Sequence, residues 1–192
     1  MTNNMSDFKF TKKDFILYLL ARIEPKRADL MCLNKLAFFT EFYFKYKTGR
    51  DLSDSSYAAI DYGPVINRYR DCLTEMEGEG LVKLNKYKIS LCSIAEADVP
   101  EEIQDLIDPI IEKYAQLNNS ELISLSHDTD SYKITTDNEK VMGNMIDKNL
   151  ASLETFFDSE ELSEYSEDEL DELLPDINLK DLKKKAHAVA GK

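Results

Sequence analysis

Apolar and polar positions follow a helical period along most of the chain. Over residues 11–23, Phe15, Leu19 and Ile23 recur four apart on one face. Thr11 stands at the N-cap position with Asp14 three residues on, so a first helix is predicted there, ended by Pro25. A longer helix is predicted from about 28 to 48, carrying Leu33, Leu36, Ala37, Phe38, Phe42, Phe44 and Tyr46, with Gly49 placed for a left-handed C-cap. Its aromatic run, Phe38, Phe39, Phe42, Tyr43, Phe44 and Tyr46, covers more than one helical face, so core packing or a partner must cover several rings.

Residues 57–62 are short and aromatic-ended, which predicts an extended segment, and Pro64 after Gly63 is suited to open a third helix running to about 77. Gly78 and Gly80 end that helix. Two short apolar runs, 81–84 and 87–91, flank Asn85 and Lys86 as a small hairpin would. Pro100 then opens a helix to about 117, with Pro109 as a candidate kink, and Ser120 starts a short helix ending near His127. The polar residues 128–136 are expected to form a loop, and Asp137 to cap a helix over 138–157 with Val141, Met145 and Leu150 on one side. Farther on, 159–174 interleaves acids with Leu162, Tyr165, Leu170, Leu173 and Leu174, and Pro175 separates it from a basic amphipathic stretch, 179–189. The expected fold is mainly α: a compact helical domain over 1–157 with a small β-hairpin, plus an acidic amphipathic C-terminal helical tail over 158–192 that orders on a partner.

A length of 192 residues suits one core, and the 43% apolar fraction with ten Tyr and nine Phe supplies it. Runs such as 15–20 are too short to span a bilayer, and no signal peptide opens the chain, so a cytoplasmic location is expected. Cys32, Cys72 and Cys92 are scattered among apolar neighbours and are expected as buried thiols of a reducing compartment. With two histidines and dispersed glycines, the sequence offers no metal, phosphate-loop or dinucleotide pattern, and no cofactor is expected.

The net charge is −13. Residues 158–192 hold 11 acids against 5 bases, and the rest 26 against 19, so the tail is a separate acidic object. Such a balance opposes binding to a phosphate backbone, and no direct nucleic-acid contact is expected. His127 beside Asp128 or Asp130 could be read as a general base. A lone histidine at a helix end, without a presented nucleophile, reads instead as a capping or hydrogen-bonding residue.

The most specific signal combines several segments. Leu33-Asn34-Lys35-Leu36-Ala37-Phe38-Phe39 is followed by Gly49-Arg50-Asp51-Leu52 and then by Tyr57-Ala58-Ala59-Ile60-Asp61-Tyr62-Gly63-Pro64-Val65. The segment Leu122-Ile123-Ser124-Leu125-Ser126-His127 comes later. In order and spacing these resemble the Panacea domain of SocA-like antitoxins, over roughly residues 10–150. Where that family carries Pro-Trp after its histidine this chain has Ser131 and Tyr132, and Ile60 stands for a frequent Trp. The resemblance implies an antitoxin that binds and neutralises a cognate protein toxin without catalysis. Gly63 frees the backbone and Pro64 fixes it, making a rigid corner at Asp61 and Tyr62. The partner-binding candidates are Asp61, Tyr62, Gly63, Pro64 and Arg68 around this corner, His127 and Tyr132 in the histidine segment, and Tyr165 and Leu170 in the tail.

Three other classes stay open. One is a transcriptional regulator, because the third helix and hairpin look like the end of a winged helix, although Arg68 and Arg70 face Asp71, Glu75 and Glu77. Another is a proteolytic adaptor or phage-encoded interaction protein. An enzyme is the weakest, and homo-oligomerisation is a further option.

Overall fold

The computed structural model describes residues 8–93 and 98–158. Two units divide the chain, Met1–Glu154 and Thr155–Lys192. In the second, the Phe156 and Phe157 rings meet edge to face at 5.4 Å. Tyr165, Leu170 and the rest of the expected tail from 159 onward lie outside the described residues.

The first unit is mainly helical with a small antiparallel sheet, and α2 (Leu30–Thr48) is its axis. Asp29 caps α2 by accepting the Cys32 N–H at 2.9 Å, and Gly49, the left-handed C-cap predicted from the sequence, ends it at φ 70°. From Cys32 to Phe42 every residue is buried, so α2 has no solvent face over three turns. Around it pack α1 (Lys12–Arg22), α4 (Glu101–Ala115), α5 (Asn119–Asp128) and strand β2 (Gly63–Ile66). Thr11 caps α1 through the Asp14 N–H at 3.1 Å. α4 buries Ile103, Ile107, Ile111 and Tyr114 at helical spacing, and Tyr114 stacks on Phe39 at 4.2 Å. Pro109 lies inside α4.

The corner departs from expectation. Pro64 does not open a helix: β1 (Tyr57–Ile60) turns at Asp61 and Tyr62 into β2 (Gly63–Ile66), with Ala59 opposite Pro64. β2 is an edge strand in the order β2-β1-β5, with β5 at Met145–Ile146, and there a missing N–H is tolerated. Helix α3 begins only at Tyr69 and ends at Gly78. The predicted hairpin follows as β3 (Val82–Asn85) and β4 (Lys88–Leu91). It is tied to the entry of α2 by Leu30 N–H to the Tyr87 carbonyl at 2.9 Å and Ile89 N–H to the Ala28 carbonyl at 3.0 Å.

Residues 128–136 contain a helix, α6 (Asp130–Thr135), rather than a loop. The buried Glu154 carboxylate, accepting the Asp130 and Ser131 N–H groups at 3.0 and 2.9 Å, satisfies its first turn. The long helix expected after Asp137 is absent. Asp137, Asn138 and Glu139 take φ of 49°, 55° and 68°, and the chain continues as β5 (Met145–Ile146) and a 3-10 helix, Lys148–Leu153. Pairing with β1 overrides the helical pattern here: Ala59 bonds both Gly143 N–H at 2.7 Å and the Asn144 carbonyl at 2.9 Å. Of the cysteines only Cys32 is buried, whereas Cys72 is half-buried and Cys92 exposed.

Candidate partner-binding site

The β1–β2 hairpin is gripped from behind by two adjacent polar residues in the apolar middle of α2. Asn34 Oδ1 accepts the Ile66 N–H at 2.8 Å, and Lys35 Nζ donates to the Pro64 carbonyl at 2.9 Å. These side chains supply the ladder partners that an edge strand lacks. Lys35 is fully buried, no carboxylate among the described residues pairs with it, and burial lowers its pKa from 10.5 to about 7.

Helices α5 and α6 add further contacts to the hairpin. Tyr132, also fully buried, donates its hydroxyl to the Ile60 carbonyl at 2.8 Å, and loss of hydration raises its pKa. The His127 ring stacks on Tyr132 at 4.6 Å, with Nδ1 2.8 Å from Glu139 Oε1. Gly63, at φ 85°, closes against this cluster: a Cβ there would overlap Ser126 Oγ, lie 2.8 Å from Lys35 Nζ and 3.2 Å from His127 Cδ2. The carboxylate that reaches His127 is therefore Glu139, while Asp128 pairs with Lys133 at 3.3 Å. Ser126 Oγ donates to the Ile123 carbonyl at 2.8 Å, and the cluster acts as a clamp on the hairpin. Among the described residues no group of three or more His, Cys, Asp and Glu is arranged to hold a metal ion.

In front of the hairpin lies a groove of about 660 Å³. Leu30 and Met31 of α2 with Ile60 and Val65 of the hairpin give it apolar surface, and Tyr62, Tyr69 and Tyr87 give it aromatic surface. Tyr62 and Tyr87 are 61% and 69% exposed, more than any other large apolar side chain among the described residues. Their chain positions explain this: each stands in the two-residue turn of a hairpin, and the two turns come to one groove.

The candidates thus divide into two layers. Gly63, Pro64 and Tyr132 are buried and hold the corner, with His127 half-buried among them. Asp61, Tyr62 and Arg68 face solvent, and Arg68 pairs with Asp71 at 2.7 Å. Sequence reasoning misses Asn34 and Lys35 as hairpin ligands, Glu139 as the partner of His127, and Met31, Tyr69 and Tyr87 as groove residues. A signal exists for the first pair, since Asn-Lys interrupts an otherwise apolar helix interior.

Residues 33–133 match the model of a protein family described as Antitoxin SocA-like, Panacea domain. That is more than half of the chain, and the protein belongs to this family. No curated protein and no solved structure matches it. The match takes in Lys35, the whole corner, Ser126, His127 and Tyr132, whereas Glu139 and β5 lie beyond its end.

Proposed function

We propose that this protein is the antitoxin of a toxin–antitoxin pair and neutralises its cognate toxin in the cytoplasm by direct protein–protein binding, without catalysis. The family supports the antitoxin role. The observation that carries direct binding is the pair of solvent-facing tyrosines, Tyr62 and Tyr87, beside an apolar groove, because interfaces concentrate aromatic anchors in water-excluding pockets. A clamp that fixes the hairpin from both α2 and α6 keeps Tyr62 in place before a partner arrives, which lowers the ordering cost of binding. Asp61 on the same turn, and Tyr165 and Leu170 in the acidic tail, are further contacts in this reading.

The test is co-expression with the product of an adjacent toxin-like reading frame. Growth rescue and co-purification of the two chains are expected, and rescue without a complex would move the function to another mechanism.

A further inference from the structure

The groove has a local charge opposite to that of the whole chain. Within a protein of net charge −13, hairpin residues 82–91 contain Lys83, Lys86 and Lys88 and no acid, and Arg70 stands on the same groove. Among the described residues no carboxylate pairs with Lys83, Lys86 or Arg70. The one acid in the lining, Asp29, is already engaged by the Cys32 N–H at 2.9 Å, Asn119 Nδ2 at 3.2 Å and Lys88 Nζ at 3.4 Å. The lining thus holds Arg70 and Lys88 against this one engaged acid, the hairpin that supplies Tyr87 and Lys88 also carries exposed Lys83 and Lys86, and a partner's carboxylates would complement this charge.

We propose that the groove takes a short segment of the toxin that carries an apolar or aromatic anchor flanked by Asp or Glu. This rests on the antitoxin reading and names the part of the toxin it would grip. Anchor and groove supply buried apolar area between Tyr62 and Tyr87, while Arg70 and the β3–β4 lysines meet the flanking acids. A nucleic-acid strand fits less well, because a continuous polyanion would also meet exposed Asp61 on the same turn as Tyr62, and the whole chain carries a net charge of −13. A peptide can confine its negative charge to the basic side.

The experiment selects a short random peptide library against the full chain, with fluorescence anisotropy on the enriched peptides. Tyr87→Ala and Arg70→Glu alter exposed side chains that support no buried contact, and circular dichroism verifies their folding. Enriched peptides should carry an apolar or aromatic residue between acids, bind about tenfold more weakly to either variant, and weaken further with salt. No enrichment, enriched peptides rich in Lys or Arg, or binding to both variants as tight as to the unaltered chain would overturn the proposal. So would tighter, Tyr87-dependent binding of oligothymidylate, or self-association through Tyr87 in sedimentation. In the growth assay, full rescue by both variants would also overturn it while leaving the antitoxin reading intact, whereas failure of the unaltered chain to rescue strikes that reading instead.

Discussion

Lys35 reaches from the interior of α2 to the carbonyl of Pro64, 2.9 Å away, and so binds the central helix to the edge of the hairpin that presents Tyr62. A buried amine without a carboxylate partner is costly when charged, and burial lowers its pKa to about 7. Between about 7 and 10.5 the unfolded chain therefore holds a proton that the folded chain has released, and stability rises with pH. Below about 7 both states hold the proton, and the full cost of the buried charge is present. Compared with Lys35→Met, which cannot titrate there, the unaltered protein should gain roughly 2 kcal/mol between about pH 7 and 9. Urea unfolding of both proteins across that range measures the difference, and parallel curves would mean that Lys35 keeps an ordinary pKa.

Gly63→Val is expected to cost about 3 kcal/mol, through a left-handed backbone and a Cβ that meets Ser126 and Lys35. Gly49→Ala is the control. It shares the positive φ, at 70°, but a Cβ there meets nothing within 4 Å, so about 1 kcal/mol is expected. Thermal unfolding of the two variants separates backbone strain from steric overlap, and equal losses would show that the clamp yields to the added side chain.

The helices were legible where caps and apolar period agree, as in α1 and α2, and in α4 where Pro100 stands just before the apolar period begins. The hairpin of β3 and β4 was legible because Asn85 and Lys86 separate two apolar runs. Gly63-Pro64 misleads because a helix start and an edge strand accept the same dipeptide. What decides between them is Asn34 and Lys35, some thirty positions earlier, which no local pattern contains. Met145 reads as helical for a related reason, since the contact that makes it a strand comes from Ala58 on β1. Tyr62 was legible as exposed from its place at the corner, whereas Tyr87 and Tyr69 join it only through the tertiary path of α3 and the second hairpin.

Tyr132→Phe removes one hydroxyl, whose partner is the Ile60 carbonyl at 2.8 Å, and keeps the ring under His127. A stability loss of about 1 kcal/mol is expected, with the carbonyl left short of a donor. Amide hydrogen exchange should show faster opening in residues 57–66 than in α4. Uniform acceleration across the unit would contradict a clamp specific to the hairpin.

Lys148 lies beyond the family match yet supports its core, because its Nζ is 2.8 Å from both Glu41 Oε1 and the Ser53 carbonyl. Glu41 is fully buried in α2, and it also accepts the Leu52 and Ser53 N–H groups at 3.0 and 3.2 Å. Desolvation raises its pKa and Lys148 opposes that rise. Removing the cation alone leaves a buried carboxylate uncompensated, so Lys148→Met should cost about 3 to 5 kcal/mol. Replacing both, with Glu41→Gln beside Lys148→Met, keeps acceptor and donor groups for Ser53 and removes the unpaired charge. The double variant should then be more stable than Lys148→Met alone, which chemical denaturation of the two reads directly. A double variant no better than the single one would assign the loss to the Ser53 contact and the packing of the lysine stem rather than to the charge on Glu41.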